Sequence, residues 1–465
     1  MKLKNKIVIT FIVLSKMMYP QNPVGLSFDN YIDAVQNHHP LINRAGNLVQ
    51  GAEYEYKAQK GEFDPLISGN FENKFYNDKN YYSVLYSEIK QPIFTSQYLK
   101  AGYEYGDGLF LNPEQKTSSY GMPFVGVEAS LLQGMLIDKR RAGVLKAREY
   151  INFSKAEKNE ITNNLLREAL FHYTDLSFLQ KQLAIYEYFI KLARERNNGI
   201  TALAKSGEKP AVDTVEASIL YQSRLLELQS LKIEIQNKYA GVNSFNWINR
   251  DTPTPVNTEI STDSLNLIYD KMKNLLIREL NNDSINNPVL AQYLVKKNIL
   301  TIEKRLKAEM IKPKLDVRYN FISSGTSMNN MQFSANNYKW GASLSMPLLL
   351  RTSRNQFKSA SLDVKNISLE VTSKTNQFQN KLNYLKQSII TLTEQLNNAA
   401  RNAAFSKALL SAEKLKFDNG ESSLFLLNTR ENKWLESELK LSEYKLKFID
   451  AVLNLIHIKG NLNYK

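Results

Sequence analysis

Hydrophobic and polar residues alternate in four stretches of the chain. Leu315, Val317, Tyr319 and Phe321 alternate with Lys314, Asp316, Arg318 and Asn320. Tyr338, Trp340, Ala342, Leu344 and Met346 alternate with Lys339, Gly341, Ser343 and Ser345. Earlier, Ile67, Phe71 and Phe75 alternate with Ser68, Asn70, Glu72 and Lys74, and Val125, Val127, Ala129 and Leu131 with Phe124, Gly126, Glu128 and Ser130. A period of two predicts strands with one apolar and one polar face. Each is about as long as a tilted bilayer-crossing strand, ~9–11 residues. Apolar outside and polar inside is the pattern of a membrane barrel with a wet lumen. Tyr and Trp near the strand ends suit interfacial girdles. The same alternation also fits a half-buried sheet on a soluble core. Two further extended stretches, around Tyr82–Tyr86 and from Tyr98 to Tyr105, are either another strand pair in the same wall or a hairpin outside it.

Elsewhere the period changes to that of long helices. From Asp138 to about Asn197 there is no proline and Gly143 is the one glycine; unbroken, such a helix is roughly 90 Å long at ~1.5 Å per residue. Leu165, Ala169, Tyr173, Leu176, Leu179, Leu183, Tyr186, Ile190 and Ala193 recur at spacings of three and four, a heptad-like seam. The chain returns as a helix from about Val212 to Tyr239. Val371, Phe378, Leu382, Leu385, Ile389, Leu392 and Leu396 line a second long helix, and Leu435, Leu439, Ser442, Leu446, Ile449, Leu453 and Ile456 its return. Helices of this length cannot bury their seams in a compact core; they need each other and neighbouring chains.

The order of these patterns occurs twice. Asn37-His38-His39-Pro40-Leu41, a helical run, Phe63-Asp64-Pro65, β-segments, Ser130-Leu131-Leu132-Gln133-Gly134 and a long hairpin make one copy. Asn287-Pro288-Val289-Leu290, a helical run, Ile311-Lys312-Pro313, β-segments, Ser345-Met346-Pro347-Leu348-Leu349-Leu350 and a long hairpin make the other. A duplication of this kind constrains the fold more than any single residue. The hairpin tips also match: Gly207 precedes Val212-Asp213-Thr214-Val215-Glu216-Ala217, and Gly420 precedes Ser423-Leu424-Phe425-Leu426-Leu427-Asn428. Glycine at a helix end followed by a fresh helix start is a turn signature. The expected organisation is a signal peptide at 1–22, a first repeat at 23–242, a linker at 243–286 with a short helix near Leu265–Leu280, and a second repeat at 287–465.

Composition narrows the class. With 465 residues, 43% of them hydrophobic, and a mean hydropathy of -0.39, the chain is not a helical membrane protein. Lys2, Lys4 and Lys6 precede the apolar run Ile7–Leu14, which reads as a secretory signal with cleavage between Ser15 and Val24. The chain has no cysteine, so an exported form has neither a disulfide scaffold nor a lipid-anchoring cysteine. The net charge of +14 is spread among acidic residues, as in Glu303-Lys304-Arg305, Lys307 and Glu309. Mixed signs at helical spacing mark a solvated face rather than a nucleic-acid site.

Catalytic patterns do not appear. The four histidines are His38, His39, His172 and His457. His38-His39 adjoins Pro40 at a helix end, where a capping role fits better than metal binding, since no partner ligands flank the pair. No phosphate loop, dinucleotide fingerprint or Gly-x-Ser-x-Gly occurs. Asp213 and Glu216 share a helical face at a tip, without the apolar pocket that tunes an acid. No enzyme activity, cofactor or metal is expected.

From about Phe28 to Leu462 the chain resembles the outer-membrane efflux protein family, the TolC-type channels. The resemblance rests on Asn37–Leu41, Phe63–Pro65, Ser130–Ala147 with Asp138-Lys139-Arg140-Arg141-Ala142, Gly207–Ala217, Ser345–Leu349 and Gly420–Arg430, in order and duplicated. It implies an α+β membrane protein: a homotrimer with a shared outer-membrane β-barrel, continued by a long α-helical coiled-coil barrel through the periplasm. The segment at 243–286 becomes an equatorial belt. The tips, with Gly207, Val212, Gly420 and Leu424, meet a periplasmic adaptor protein coupled to an inner-membrane transporter, and cargo passes without chemistry. The chain also departs from the family. Where well-known members carry two pore-ringing aspartates one helical turn apart, this chain has Leu426 and Thr429. Asp213 and Glu216 hold the corresponding places in the first repeat, and Ser422 replaces the arginine expected after the second tip glycine. The resemblance therefore implies a more apolar constriction among Asp213, Glu216, Leu426 and Thr429. The competing reading is a non-transport, envelope-spanning coiled-coil scaffold or adhesin, which ion conductance separates from a channel.

Overall fold

A computed structural model describes residues 23–256, 258–281, 286–324 and 331–462. The signal-peptide expectation at 1–22 lies outside these residues. The described chain forms two compact units.

The first unit comprises residues 47–157 and 289–375 and is built on one six-stranded antiparallel sheet. Helix α2 (Pro40–Gly61) leads into β2 (Leu66–Tyr76), β3 (Lys79–Pro92), β4 (Gln97–Asp107) and β5 (Met122–Ser130). Helix α6 (Pro288–Glu309) leads into β9 (Lys314–Ser323) and β10 (Phe333–Ser345). The order across the sheet is β10-β9-β5-β4-β3-β2. Asn77 and Asp78, both at φ 51°, make the two-residue turn between β2 and β3; their left-handed backbone matches the twist of the flanking strands.

The register sorts the side chains onto two faces. Ile67 pairs with Ile89, Ile89 with Ala101, Ala101 with Val125, Val125 with Phe321, and Phe321 with Tyr338. This apolar row crosses all six strands without a break. One step along, Lys90, Lys100, Gly126, Asn320 and Lys339 form a polar row on the opposite face. There Lys90 bonds Glu128 at 3.1 Å, and Lys100 bridges Glu88 at 3.8 Å and also pairs with Glu128. Lys339 on β10 reaches Glu104 on β4 at 3.4 Å, although β9 and β5 lie between. The register puts Lys339 level with Lys100, four residues from Glu104, so on a flat sheet three strand spacings and that offset separate the two residues by about 19 Å, beyond the reach of both side chains. The contact therefore requires a curled sheet with its polar face concave.

Two of the resemblance motifs meet at the junction of sheet and helix. Helix α3 (Lys139–Lys205) starts after Asp138, whose Oδ1 accepts the Arg141 backbone N–H at 2.8 Å. The Arg141 guanidinium donates to Ser96 Oγ at 2.9 Å and to the carbonyls of Gly134 and Met135. Arg140 stacks over Phe63 at 5.3 Å and Tyr98 at 4.5 Å.

The second unit comprises residues 23–46, 158–288 and 376–465, of which those named above are described. It holds α1 (Phe28–His38), the C-terminal part of α3, α4 (Ala211–Phe245), α5 (Leu265–Leu280), the C-terminal part of α7 (Arg351–Asp418) and α8 (Leu424–Lys459). A parallel pair, β1 (Val24–Leu26) with β8 (Ile260–Thr262), and an antiparallel pair, β6 (Trp247–Asn249) with β7 (Thr252–Pro253), complete it. The seam positions Leu165, Ala169, Tyr173, Leu176 and Leu179 join Leu382, Leu385, Ile389, Ile449, Leu453 and Ile456 in one buried cluster. Tyr31 and Tyr173 stack at 5.1 Å in its middle. Their hydroxyls donate to the Val242 carbonyl at 3.3 Å and the Leu26 carbonyl at 2.7 Å, so the buried polar ends are satisfied. Helix α4 runs past Tyr239 because Gly241 admits the ring of His172: a Cβ there would lie 2.7 Å from His172 Nδ1. The expected cap at His39 is present, with its Nδ1 accepting the Leu41 backbone N–H at 3.2 Å.

Candidate functional site at the hairpin tips

Both tips are built by the same backbone device. At the end of α3, the N–H groups of Gly207 and Glu208 donate to the carbonyls of Ala204 at 3.2 Å and Leu203 at 2.9 Å. At the end of α7, those of Gly420 and Glu421 donate to Phe417 at 3.0 Å and Lys416 at 2.8 Å. This is a Schellman closure, which needs a left-handed residue at the turn. Gly207 at φ 81° and Gly420 at φ 80° supply it. The returning helices start differently. Ser423 caps α8 by accepting the Leu426 N–H at 3.3 Å, whereas Pro210 precedes α4 with no side-chain cap.

The expected site residues divide between surface and interior. Val212 is 69% exposed and Leu426 42%, while Leu424 is 3% exposed against Ile200, Ala217 and Phe417. Thr429 is exposed and turns its hydroxyl back to the Phe425 carbonyl at 2.8 Å. Asp213 is half-buried in the first turn of α4. Glu216 does not stand free: its Oε1 accepts from Asn428 Nδ2 at 3.0 Å. Ser422 donates to Glu413, which also lies 3.8 Å from Arg430.

Asn428 belongs to a buried polar network that spacing alone did not single out. Arg196 on α3 donates Nη1 to Asn428 Oδ1 at 2.8 Å and Nη2 to the Glu431 carboxylate. Glu431 is fully buried, and its other oxygen has no hydrogen-bond partner. The network thus ties α3, α4 and α8 together through Arg196, Glu216, Asn428 and Glu431. Nearby, Ser218 bonds Asn197 at 2.9 Å, and the buried Arg224 reaches Asn432 and Glu227. The available signal was two polar residues, Asn428 and Glu431, three apart on one helical face and flanked by the apolar Leu427 and Leu435. Beside them, Trp434 packs on Phe189 at 4.8 Å, and a groove of about 420 Å³ opens between Tyr188, Leu203, Leu410, Phe417 and Trp434.

Farther along the same helices, burial sets the charge states. Asp450 is pushed up to about 7 by burial and, second, by the Asp175 carboxylate; its Oδ1 has no hydrogen-bond partner. His457 is pushed down to about 4 by burial and by the cations Arg167 and Lys381; its Nε2 lies 2.7 Å from Asn164 Oδ1. Among the described residues no group of three or more His, Cys, Asp or Glu is placed to hold a metal, and no helix is long and apolar enough to cross a membrane.

No family model and no curated protein sequence matches this chain. Its fold does match solved structures of outer-membrane channels. The VceC outer membrane protein of Vibrio cholerae is 12% identical, with 93% of this chain and 95% of that one covered and a TM-score of 0.63. The CmeC outer membrane channel of Campylobacter jejuni is 11% identical, with 93% and 85% covered and a TM-score of 0.61. The open-state MtrE outer membrane channel of Neisseria gonorrhoeae is 11% identical, with 93% and 88% covered and a TM-score of 0.61. The resemblance read from the sequence is thus met at the level of the fold: the chain has the fold of the outer-membrane channels.

Proposed function

We propose that this chain is an outer-membrane export duct of the TolC type, acting in a tripartite efflux or type I secretion system. Three copies close their sheets into one barrel with the apolar faces toward lipid, and their helical hairpins continue it as a tube through the periplasm. The two repeats, at 23–242 and 287–465, build matching parts of that tube, and the segment at 243–286 belts it. The tips meet a periplasmic adaptor and, through it, an inner-membrane pump that supplies the energy. Cargo passes without chemistry, so no enzyme activity or cofactor is invoked.

The observation that carries this reading is the two-faced sheet. Ile67, Ile89, Ala101, Val125, Phe321 and Tyr338 form a continuous apolar row, and on the concave face Lys90, Lys100 and Lys339 pair with Glu88, Glu104 and Glu128. A soluble coiled-coil scaffold has no use for an outward apolar band of this kind. Planar-bilayer recording of the purified protein tests it: discrete conductance steps are expected, and their absence favours the scaffold. The tip residues set the ion preference of the closed end. Leu426 is exposed there without charge, so Leu426→Asp raises cation over anion permeability several-fold. An unchanged reversal potential in a salt gradient counts against that placement.

A further inference from the structure

We infer that the β2–β3 hairpin is part of the membrane wall, and that the open edges of the sheet, β2 and β10, pair with those of neighbouring copies to close a ring of eighteen strands. The inference rests on the channel reading above and fixes the width of its duct.

Four observations converge. The edge strands β2 and β10 have 11 and 13 residues, long enough to cross a bilayer at the ~9–11 residues a tilted strand needs. Strand β2 obeys the two-faced rule of β9 and β10: Ile67, Phe71 and Phe75 are 64–75% exposed on the face that carries Trp340 and Leu344 at the other edge. A hairpin standing in water outside the wall would hold these rings in solvent with nothing to cover them. Strand β3 is bound into the concave face by Lys90, which bonds Glu128 two strands away at 3.1 Å. Finally, the six strands alternate in direction throughout. Strand β2 of one copy therefore lies antiparallel to β10 of the next without any strand being turned round.

The bilayer makes such pairing obligatory. An unpaired edge leaves a row of N–H and C=O groups in hydrocarbon, at several kcal/mol each. Closure within one chain does not solve this, because barrels of about eight strands are already filled by their own side chains. Three copies of six strands reach the ~16–18-strand size that leaves an aqueous channel. The alternative is a ring closed at β4, with the β2–β3 hairpin outside and four strands per copy.

The absence of cysteine makes disulfide trapping clean. Phe71→Cys on β2 is combined in turn with Trp340→Cys, Ala342→Cys and Leu344→Cys on β10, a staggered set that covers the register. Ala101→Cys on β4 with the same three partners is the control. Oxidation of the full-length protein in membranes is expected to give covalent dimers and trimers from at least one β2 pair and monomers from every β4 pair. Cross-linking from β4 alone, or from neither set while the wild type conducts, overturns the inference but leaves the channel intact. A wild type that neither conducts nor oligomerises overturns the channel reading, and this inference with it. Electron microscopy of the wild-type particle counts strands without any variant: eighteen are expected, and twelve refute the wall proposed here.

Discussion

Burying a carboxylate such as Glu431 costs several kcal/mol unless a counter-charge and hydrogen bonds offset it. Arg196 is that counter-charge, and it also fixes Asn428. Arg196→Ala leaves Glu431 buried and unpaired, so the hairpins should lose about 3–5 kcal/mol. Thermal unfolding in detergent reads this, and adding Glu431→Leu should recover most of the loss; a single variant that melts like the wild type would refute the pairing. Asp450 adds a pH dependence. Its pKa, raised to about 7 from an ordinary 3.8, means the folded chain keeps a proton that the unfolded chain has already released. Its contribution is therefore complete below about pH 4 and fades as pH rises to about 7. Asp450→Asn should flatten that part of the stability profile and raise the melting temperature at pH 7.5. At this scale the sequence told little. Glu431 and Asn428 look like ordinary solvated helix residues until α3 is laid against α8, and only the fold brings Arg196, more than two hundred residues away, to them.

Among the elements, the tips offer the simplest test. A left-handed residue with a Cβ costs roughly 1–2 kcal/mol, and Gly207 and Gly420 have open space around them. Gly420→Ala should thus destabilise by about that amount through backbone conformation alone, with Gly420→Asn costing less. Equal melting points for all three proteins would show that the tip is not held in this turn. The elements were more legible than the single residues. Alternation at Leu315–Phe321 and Tyr338–Met346 marked β9 and β10, and the tip glycines marked both turns. The first-half strands were harder to read because Tyr82, Val84 and Tyr86 lie with Phe124 on the concave face, beside its lysines and glutamates. Aromatic and apolar residues there blur the period of two. Only the pairing of Ile89 with Ala101 and of Ile67 with Ile89 shows which face is which. The helices α3 and α4 run to Lys205 and Phe245, beyond the expected ends, because Gly199 and Gly241 are tolerated inside them.

For the whole molecule, the order of strands and long helices read from the chain resembled the outer-membrane channels, and the chain has the fold of solved members of that group. The number of strands in the wall was not legible, since it depends on hydrogen bonds across sheet edges rather than on any local pattern. The proposed duct requires one thing above all: that three sheets with apolar outer faces close into a water-filled pore in a lipid bilayer. Purified protein added to a planar bilayer measures this directly. Discrete, long-lived conductance steps from a detergent-dependent threefold particle are the expected result. A protein that stays monodisperse without detergent and passes no ions across the bilayer would contradict the account.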